Sequence, residues 1–122
     1  PAPWKPDGSA ILAITDQGRD FTGLAEFPVA GGEFSWVERP AWDVEQAVIS
    51  RDGSVLAWSV NEDGYSKLHA RELTTGRALE VPDIPGGAVT ALRISGDGRR
   101  LAFLLATATR PSVPGLMALQ ST

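Results

Sequence analysis

The sequence predicts an all-β protein made of β-propeller blades. A turn containing Asp-Gly, followed directly by an apolar strand, occurs three times, with Asp7, Asp52 and Asp97 as its acidic residues. The interval between successive turns is 45 residues, which is typical of propeller repeats. No segment repeats its apolar residues every 3.6 positions, so we expect little or no helix. We therefore expect four-stranded antiparallel sheets, about two and three-quarter repeats of them.

The first two repeats are predicted to be blades at residues 1–40 and 41–86. In both, apolar runs alternate with polar loops that contain glycine. The predicted strands are residues 11–14, 24–29 and 34–37 in the first repeat and 45–49, 56–60, 67–73 and 78–81 in the second. The loops at 16–20 and 61–65 occupy the same place in their repeats, so we expect both to project from one rim.

The third repeat, residues 87–122, is predicted to be an incomplete blade. Its strands are expected at 89–94 and 101–105, and residues 113–119 stand where the third strand belongs. Pro114 and Gly115 both weaken a strand there, and no fourth strand follows. We therefore expect an atypical tail from Val113 onwards, arising from a truncation, a foreign tail or an engineered junction.

Core positions recur at the same distance after each turn. They are Ile11, Leu56 and Leu101, and two positions later Ala13, Trp58 and Phe103. We therefore expect Trp58 to pack in the core. The aspartates of the three turns share one place before glycine, so we interpret them as turn residues that bind the local backbone rather than as metal ligands.

Composition narrows the function. The net charge is −4, which disfavours a nucleic-acid partner, and the absence of cysteine excludes disulfides and thiolate metal sites. No apolar run approaches the roughly 20 residues that span a bilayer, and no signal peptide is recognisable, so we expect a cytoplasmic protein without a membrane partner. The chain begins at Pro1 without an initiator Met, which suggests a processed or excised piece.

We expect no catalytic, cofactor-binding or metal-binding residue in this chain. A Ser–His–Asp arrangement would need His69, the one histidine, which lies in an alternating run typical of a strand face. The loop at Asn61, Glu62 and Asp63 carries oxygen ligands before a glycine, but the spacing of a calcium loop is not met. A polar turn is the simpler interpretation.

Contact residues are predicted at the rim and between blades. Trp36 and Trp42 flank Pro40 in the link between the first two repeats, and an exposed aromatic pair there would be a contact surface. The candidate rim or contact residues are Trp36, Trp42, Asn61, Glu62, Asp63 and Tyr65.

Several segments resemble a known family. The Asp-Gly turns, the Leu-Ala-aromatic strand and the Leu-Thr-Thr-Gly turn at 73–76 are similar to the WD-type propeller repeats of TolB and of prolyl oligopeptidase-type serine peptidases. The segments 42–45, 61–68 and 106–112 resemble the later blades of bacterial acylaminoacyl-peptidase-like members. The resemblance covers about residues 4 to 112, and after Ser112 the sequence departs from the family pattern.

The resemblance implies a non-catalytic propeller fragment. In the family a propeller caps an α/β-hydrolase domain with the catalytic triad and controls access of the peptide substrate. No Gly-x-Ser-x-Gly elbow occurs here, so we expect this chain not to be an enzyme. A TolB-like protein-interaction scaffold is the alternative. Because propellers have 4–8 blades, we also expect either a homo-oligomer of two or three copies or the missing remainder of a parent protein as partner.

Overall fold

The computed structural model describes residues 3–121, which form three antiparallel three-stranded sheets that pack on one another in chain order. Sheet 1 contains β1 to β3, sheet 2 contains β4 to β6, and sheet 3 contains β8 to β10. The strands are β1 (Ala10–Thr15), β2 (Gly23–Pro28), β3 (Ser35–Glu38), β4 (Asp43–Ile49), β5 (Val55–Glu62), β6 (Tyr65–Glu72), β7 (Leu79–Glu80), β8 (Ala88–Ile94), β9 (Arg100–Thr107), β10 (Arg110–Ala118) and β11 (Gln120–Ser121).

The 45-residue interval of the sequence is also the interval of the structure. The strands β8, β9 and β10 each begin 45 residues after β4, β5 and β6. No helix lies within residues 3–121, which confirms the all-β prediction. Likewise, this part of the chain contains no helix that is long and apolar enough to cross a membrane.

The sheets have three strands each, so four strands per sheet are not confirmed. At the inner edge of sheet 1, a single bridge joins Trp4 to Ile11. At the outer edge of sheet 2, a single bridge joins Arg71 to Ala78, just before β7. Proline on both sides of Trp4, at Pro3 and Pro6, removes the amide hydrogens that a longer inner strand would need.

Pro114 and Gly115, which were expected to weaken a strand, do not interrupt the third sheet. The strand β10 runs through both residues and pairs with β9 from Val113 to Ala118. Proline is tolerated because β10 is the edge strand of its sheet. Gly115 leaves room for the ring of Phe103, whose Cε2 atom would lie 2.5 Å from an added Cβ. The pairing of β10 with β9 is irregular between Arg110 and Val113, where the register shifts.

The end of the described chain contacts sheet 2 rather than extending sheet 3. The strand β11 pairs antiparallel with β7, and the amide of Leu119 donates to the carbonyl of Arg99 at 2.8 Å. The last strand therefore links the third sheet to the outer edge of the second.

Two apolar cores lie between the sheets. Sheets 1 and 2 bury Leu12, Leu24, Val44, Ala47, Leu56, Trp58 and Val60 between them, whereas sheets 2 and 3 bury Val55, Ala57, Leu68, Ala70, Val89, Leu92, Leu101, Phe103 and Leu105. The core role predicted for Trp58 and Phe103 is confirmed. Because alternate residues of a strand face opposite sides, the central strand β5 contributes to both cores.

Candidate functional site

The three aspartates of the repeated turns bind the local backbone. In each, the carboxylate Oδ1 accepts the backbone amide two residues later, at 2.9 Å for Asp7, 3.0 Å for Asp52 and 3.0 Å for Asp97. The glycine that follows each aspartate has a positive φ, between 74° and 77°. The prediction that these are turn residues is confirmed. Within the described residues, no group of three or more His, Asp or Glu side chains is placed to hold a metal ion.

Serine hydroxyls strengthen these turns electrostatically. The pKa of Asp52 lies below its ordinary value because the hydroxyls of Ser54 and Ser50 donate to the carboxylate, at 2.6 and 2.7 Å. Hydrogen bonding by Ser9 lowers the pKa of Asp7, and hydrogen bonding by Ser95 lowers the pKa of Asp97. All three carboxylates are favoured in their charged form by the fold.

The stability of the fold is therefore expected to fall in acid. In the folded chain the pKa values of the three aspartates lie below the ordinary value of 3.8. At a pH between the folded and the ordinary pKa values, the unfolded chain therefore binds more protons than the folded chain. The stabilisation is present above pH 3.8 and is lost as the pH falls through the folded values. Urea unfolding between pH 2.5 and 7 measures this loss. A triple variant with Asn at 7, 52 and 97 keeps the turn geometry and should show a flatter profile. Equal pH profiles for the two proteins would contradict the assignment.

At the opposite rim, a hydroxyl residue contacts the next sheet at both joints, with different hydrogen bonds at each. The amide of Val44 donates to the carbonyl of Thr22 at 3.1 Å, and the Thr22 hydroxyl donates to the carbonyl of Val44 at 2.9 Å. In the next pair of sheets, the amide of Val89 donates to the hydroxyl of Ser66 at 2.9 Å, and the amide of Ser66 donates to the carbonyl of Gly87 at 2.8 Å. A small hydroxyl residue at the start of one strand thus fixes the inner strand of the next sheet.

Gln46 makes a second bridge between sheets 2 and 3. Its Nε2 donates to the carbonyl of Val89 at 2.9 Å, and its Oε1 accepts the amide of Leu92 at 2.9 Å. These two backbone groups flank the register shift of β8, where Ala91 has a φ of 53°. The side chain therefore satisfies polar groups that the irregular strand leaves without a ladder partner.

Sequence reasoning did not find the bridging roles of Thr22, Ser66 and Gln46. Thr22 and Ser66 are one residue out of step with the 45-residue interval, so the repeat does not predict them as a pair. The residue 45 positions after Gln46 is Ala91, which cannot form such a bridge, so the repeat does not predict the role of Gln46.

The two tryptophans predicted as a contact pair have separate neighbours. Trp36 is half-buried and packs edge-on against Phe34 at 5.3 Å, with the guanidinium of Arg19 5.5 Å from its ring centroid. Trp42 is exposed and lies 6.4 Å from Phe21. Only Trp42 is thus part of an exposed aromatic pair, and its partner is Phe21.

The rim loop at Asn61 to Tyr65 is a tight, polar connection. The Asn61 side chain accepts the amide of Gly64 at 2.9 Å, and Asp63 adopts a φ of 54°. Glu62 is at the end of β5, directly paired with the exposed Tyr65. The described contacts are those of a turn, and the loop ends beside the Ser66 bridge.

His69 lies on a strand face in an aromatic stack. Its ring packs against Trp58 at 5.5 Å with an interplanar angle of 21°, and its Nε2 is 4.0 Å from a carboxylate oxygen of Glu62. On the same indole, the Arg71 guanidinium lies 5.8 Å from the ring centroid and pairs with Glu38 of sheet 1 at 2.8 Å. These contacts give His69 a packing role at the joint between sheets 1 and 2.

An open groove follows the inner strands. Its volume is about 560 Å³, and its walls come from β1, β4 and β8. Glu45 and Arg93 contribute the charges of the lining, which also includes Gln46 and Ile14. Both a donor and an acceptor are therefore available along a mostly aliphatic wall, which suits an extended peptide backbone better than a single reacting group.

Known structures identify the fold. No family model and no curated protein matches the sequence. A TolB-like protein from Agrobacterium tumefaciens aligns with a TM-score of 0.70 at 15% identity, over 99% of this chain and 48% of its own. TolB from Acinetobacter baumannii aligns with a TM-score of 0.73 at 16% identity, over 99% of this chain and 31% of its own.

A third similar structure is one of two prolyl endopeptidases studied for inter-domain dynamics in catalysis and specificity. It aligns with a TM-score of 0.67 at 19% identity, over 90% of this chain and 16% of its own. The chain spans less than half the length of these three proteins. The expected resemblance is confirmed at the level of fold: these residues adopt the fold of the propeller domains of TolB and of prolyl endopeptidases.

Proposed function

We propose that this chain is a non-catalytic part of a propeller that gates and orients peptide substrates in a parent resembling the prolyl oligopeptidase-type serine peptidases. The observation that carries the proposal is that the three sheets pack face to face through two apolar cores, and that the strands of sheet 3 follow those of sheet 2 at an interval of 45 residues. Further sheets packed likewise would close into a disc around a channel.

The groove along the inner strands supports the gating role. Its aliphatic wall with Glu45 and Arg93 would form part of the channel wall in the closed propeller. A peptide passing through would meet hydrogen-bonding side chains without a nucleophile and base placed for hydrolysis. The substrate would therefore be selected here and cleaved elsewhere in the parent.

A second candidate is a TolB-like protein-interaction scaffold. The two TolB structures cover 99% of this chain with TM-scores of 0.70 and 0.73, against 90% and 0.67 for the prolyl endopeptidase. In this function the rim carries the partner contacts. Trp42 with Phe21, together with the loop from Asn61 to Tyr65, is the candidate surface.

The complete assembly has more sheets than this chain. We propose blades at 1–40, 41–86 and 87–122, each with four strands once the assembly is complete. The bridges at Trp4 and Ala78 mark where the edge strands of the first two blades would lengthen. The remaining sheets come from further copies of this chain or from the rest of a longer protein.

The non-catalytic role predicts no hydrolysis by the isolated chain. Incubated with p-nitrophenyl acetate and with a proline-containing peptide p-nitroanilide, the chain should release product no faster than buffer. The stacked position of His69 is the physical reason. Hydrolysis that disappears in the His69→Ala variant but persists in Lys67→Ala, on the same strand, would overturn the proposal.

The reading frame beyond Thr122 distinguishes the two functions. A hydrolase domain with a Gly-x-Ser-x-Gly elbow directly downstream supports substrate gating. A frame that encodes further blades and no hydrolase supports the scaffold.

A further inference from the structure

The outer side of sheet 3 is apolar and uncovered. Along β9, Leu101, Phe103 and Leu105 face sheet 2 and are buried, so Ala102 and Leu104 face the other way. Across the strand pair, Ala102 lies opposite Leu116 and Leu104 lies opposite Pro114. We call this surface, made of Ala102, Leu104, Pro114 and Leu116, the leucine end face. Its side chains are exposed: 37% for Leu104 and 71% for Leu116.

The same positions one repeat earlier are covered by the next sheet. The counterparts of Ala102 and Leu104 are Ala57 and Ser59, both fully buried. Ala70, the cross-strand partner of Ala57, is 3% exposed because sheet 3 packs over it. Within the described residues, the leucine end face thus presents one half of a joint like that between sheets 2 and 3.

The outer side of sheet 1 supplies the missing half. The residues that sheet 2 uses to contact the sheet before it include Leu56 and Trp58, and their counterparts in sheet 1 are Ile11 and Ala13. No sheet precedes them within the described residues. We call the surface that they form with their cross-strand and ring neighbours the aromatic end face. Its members are Trp4, Ile11, Ala13, Phe27, Phe34 and Trp36.

The two end faces are chemically complementary. Arg93 lies opposite Ala102 and Arg100 opposite Ala118, so two cations border the leucine end face. The other end face offers the rings of Trp4, Phe27 and Phe34, which attract guanidinium groups. Its fourth ring, Trp36, already has the guanidinium of Arg19 over it. The joint between sheets 1 and 2 already contains such a contact, in which Arg71 lies over Trp58.

We propose that a second copy of this chain covers both end faces, with the aromatic end face of each copy packed on the leucine end face of the other. Two head-to-tail contacts then close a ring of six sheets with two-fold symmetry, within the 4–8 blades of known propellers. This inference rests on the propeller architecture of the proposed function and adds the partner that completes it.

Light scattering coupled to size exclusion tests the pairing. At 1–100 µM the chain is expected to have twice the mass of one copy. Leu116→Asp on one end face and Trp4→Ser on the other should each weaken the dimer at least about tenfold, since each removes a large apolar side chain from both contacts. Trp42→Ser, which removes an exposed indole outside both end faces, is the matched control and should leave the mass unchanged.

Mixing the two variants tests the head-to-tail geometry. The Leu116→Asp chain keeps its aromatic end face and the Trp4→Ser chain keeps its leucine end face, so the mixture regains one intact contact and should associate better than either variant alone. Circular dichroism confirms that each variant is folded.

A folded monomer of the unsubstituted chain at 100 µM would overturn the inference and would leave the end faces to other sheets of a longer protein. A dimer that loses affinity only with Leu116→Asp would also overturn it, in favour of pairing between identical faces. Neither result bears on hydrolysis by the chain, so the proposed function is tested separately.

Discussion

Replacing Gly98 by alanine is expected to destabilise the fold by about 2–5 kcal/mol. Gly98 has a φ of 75°, a conformation that costs an alanine roughly 1–2 kcal/mol. An added Cβ would also lie 2.6 Å from Cγ2 of Val55, a buried core residue, and overpacking of this kind costs about 1–3 kcal/mol. Urea unfolding at one fixed protein concentration measures the change.

The repeat provides a matched control for this substitution. Gly8 occupies the same position in the turn of sheet 1, with a φ of 74°, but no atom lies within 4 Å of its added Cβ. Gly8→Ala should therefore show the conformational cost alone, about 1–2 kcal/mol. The excess for Gly98→Ala measures how tightly the third turn packs on sheet 2. Equal effects at Gly8 and Gly98 would show that the turn is not a packing contact.

The contrast between these two glycines also shows what the sequence predicts and what it leaves open. The Asp-Gly turns follow from local chemistry, because an aspartate that binds the backbone and a glycine with positive φ need only their neighbours. The interval of 45 then predicts equivalent strands. The repeat makes the three glycines look the same, yet only at Gly98 would an added Cβ lie within 3 Å of a side chain. At Gly53 the nearest atom is Cγ of Pro6, at 3.4 Å.

The strand through Pro114 illustrates a second limit. Proline and glycine do weaken strands on average, which is why an atypical tail was expected from Val113 onwards. The outcome depended on the edge position of β10 and on the Phe103 ring, which covers Gly115 and compensates for its missing side chain. Both are tertiary facts, decided by a residue twelve positions away in sequence.

The register of the strands in sheet 1 decides which residues contact Trp36 and Trp42. The interpretation of Trp36 and Trp42 as a pair assumed that residues flanking a proline stay together. A register shift between Leu24 and Ala25 places Trp36 opposite Ala25 on sheet 1, whereas Trp42 lies outside the strands beside Phe21. Chain proximity was therefore a poor guide to contact at this link.

The bridging role of Gln46 is the feature least visible in the sequence and leads to the second large effect. Gln46→Ala is expected to cost about 2–6 kcal/mol. It removes two hydrogen bonds, each worth roughly 0.5–1.5 kcal/mol net, and it leaves the amide of the fully buried Leu92 without its acceptor, which adds about 1–3 kcal/mol. Gln17→Ala removes the same side chain from an exposed loop position and should change stability by less than about 0.5 kcal/mol.

A charged variant separates the two hydrogen bonds of the bridge. In Gln46→Glu the carboxylate still accepts the amide of Leu92 but no longer donates to the carbonyl of Val89, which it repels instead. The loss of stability at pH 7 should therefore be partly recovered as the pH falls towards 4, where a protonated carboxyl donates again. Acid also lowers the stability of the unsubstituted chain, because the turn aspartates become protonated. The recovery is therefore measured as the difference in the free energy of unfolding between the variant and the unsubstituted chain at each pH. If the variant lost stability equally at both pH values, Gln46 would act through its packing volume and not through its two hydrogen bonds, and the joint between sheets 2 and 3 would rest on the apolar core alone.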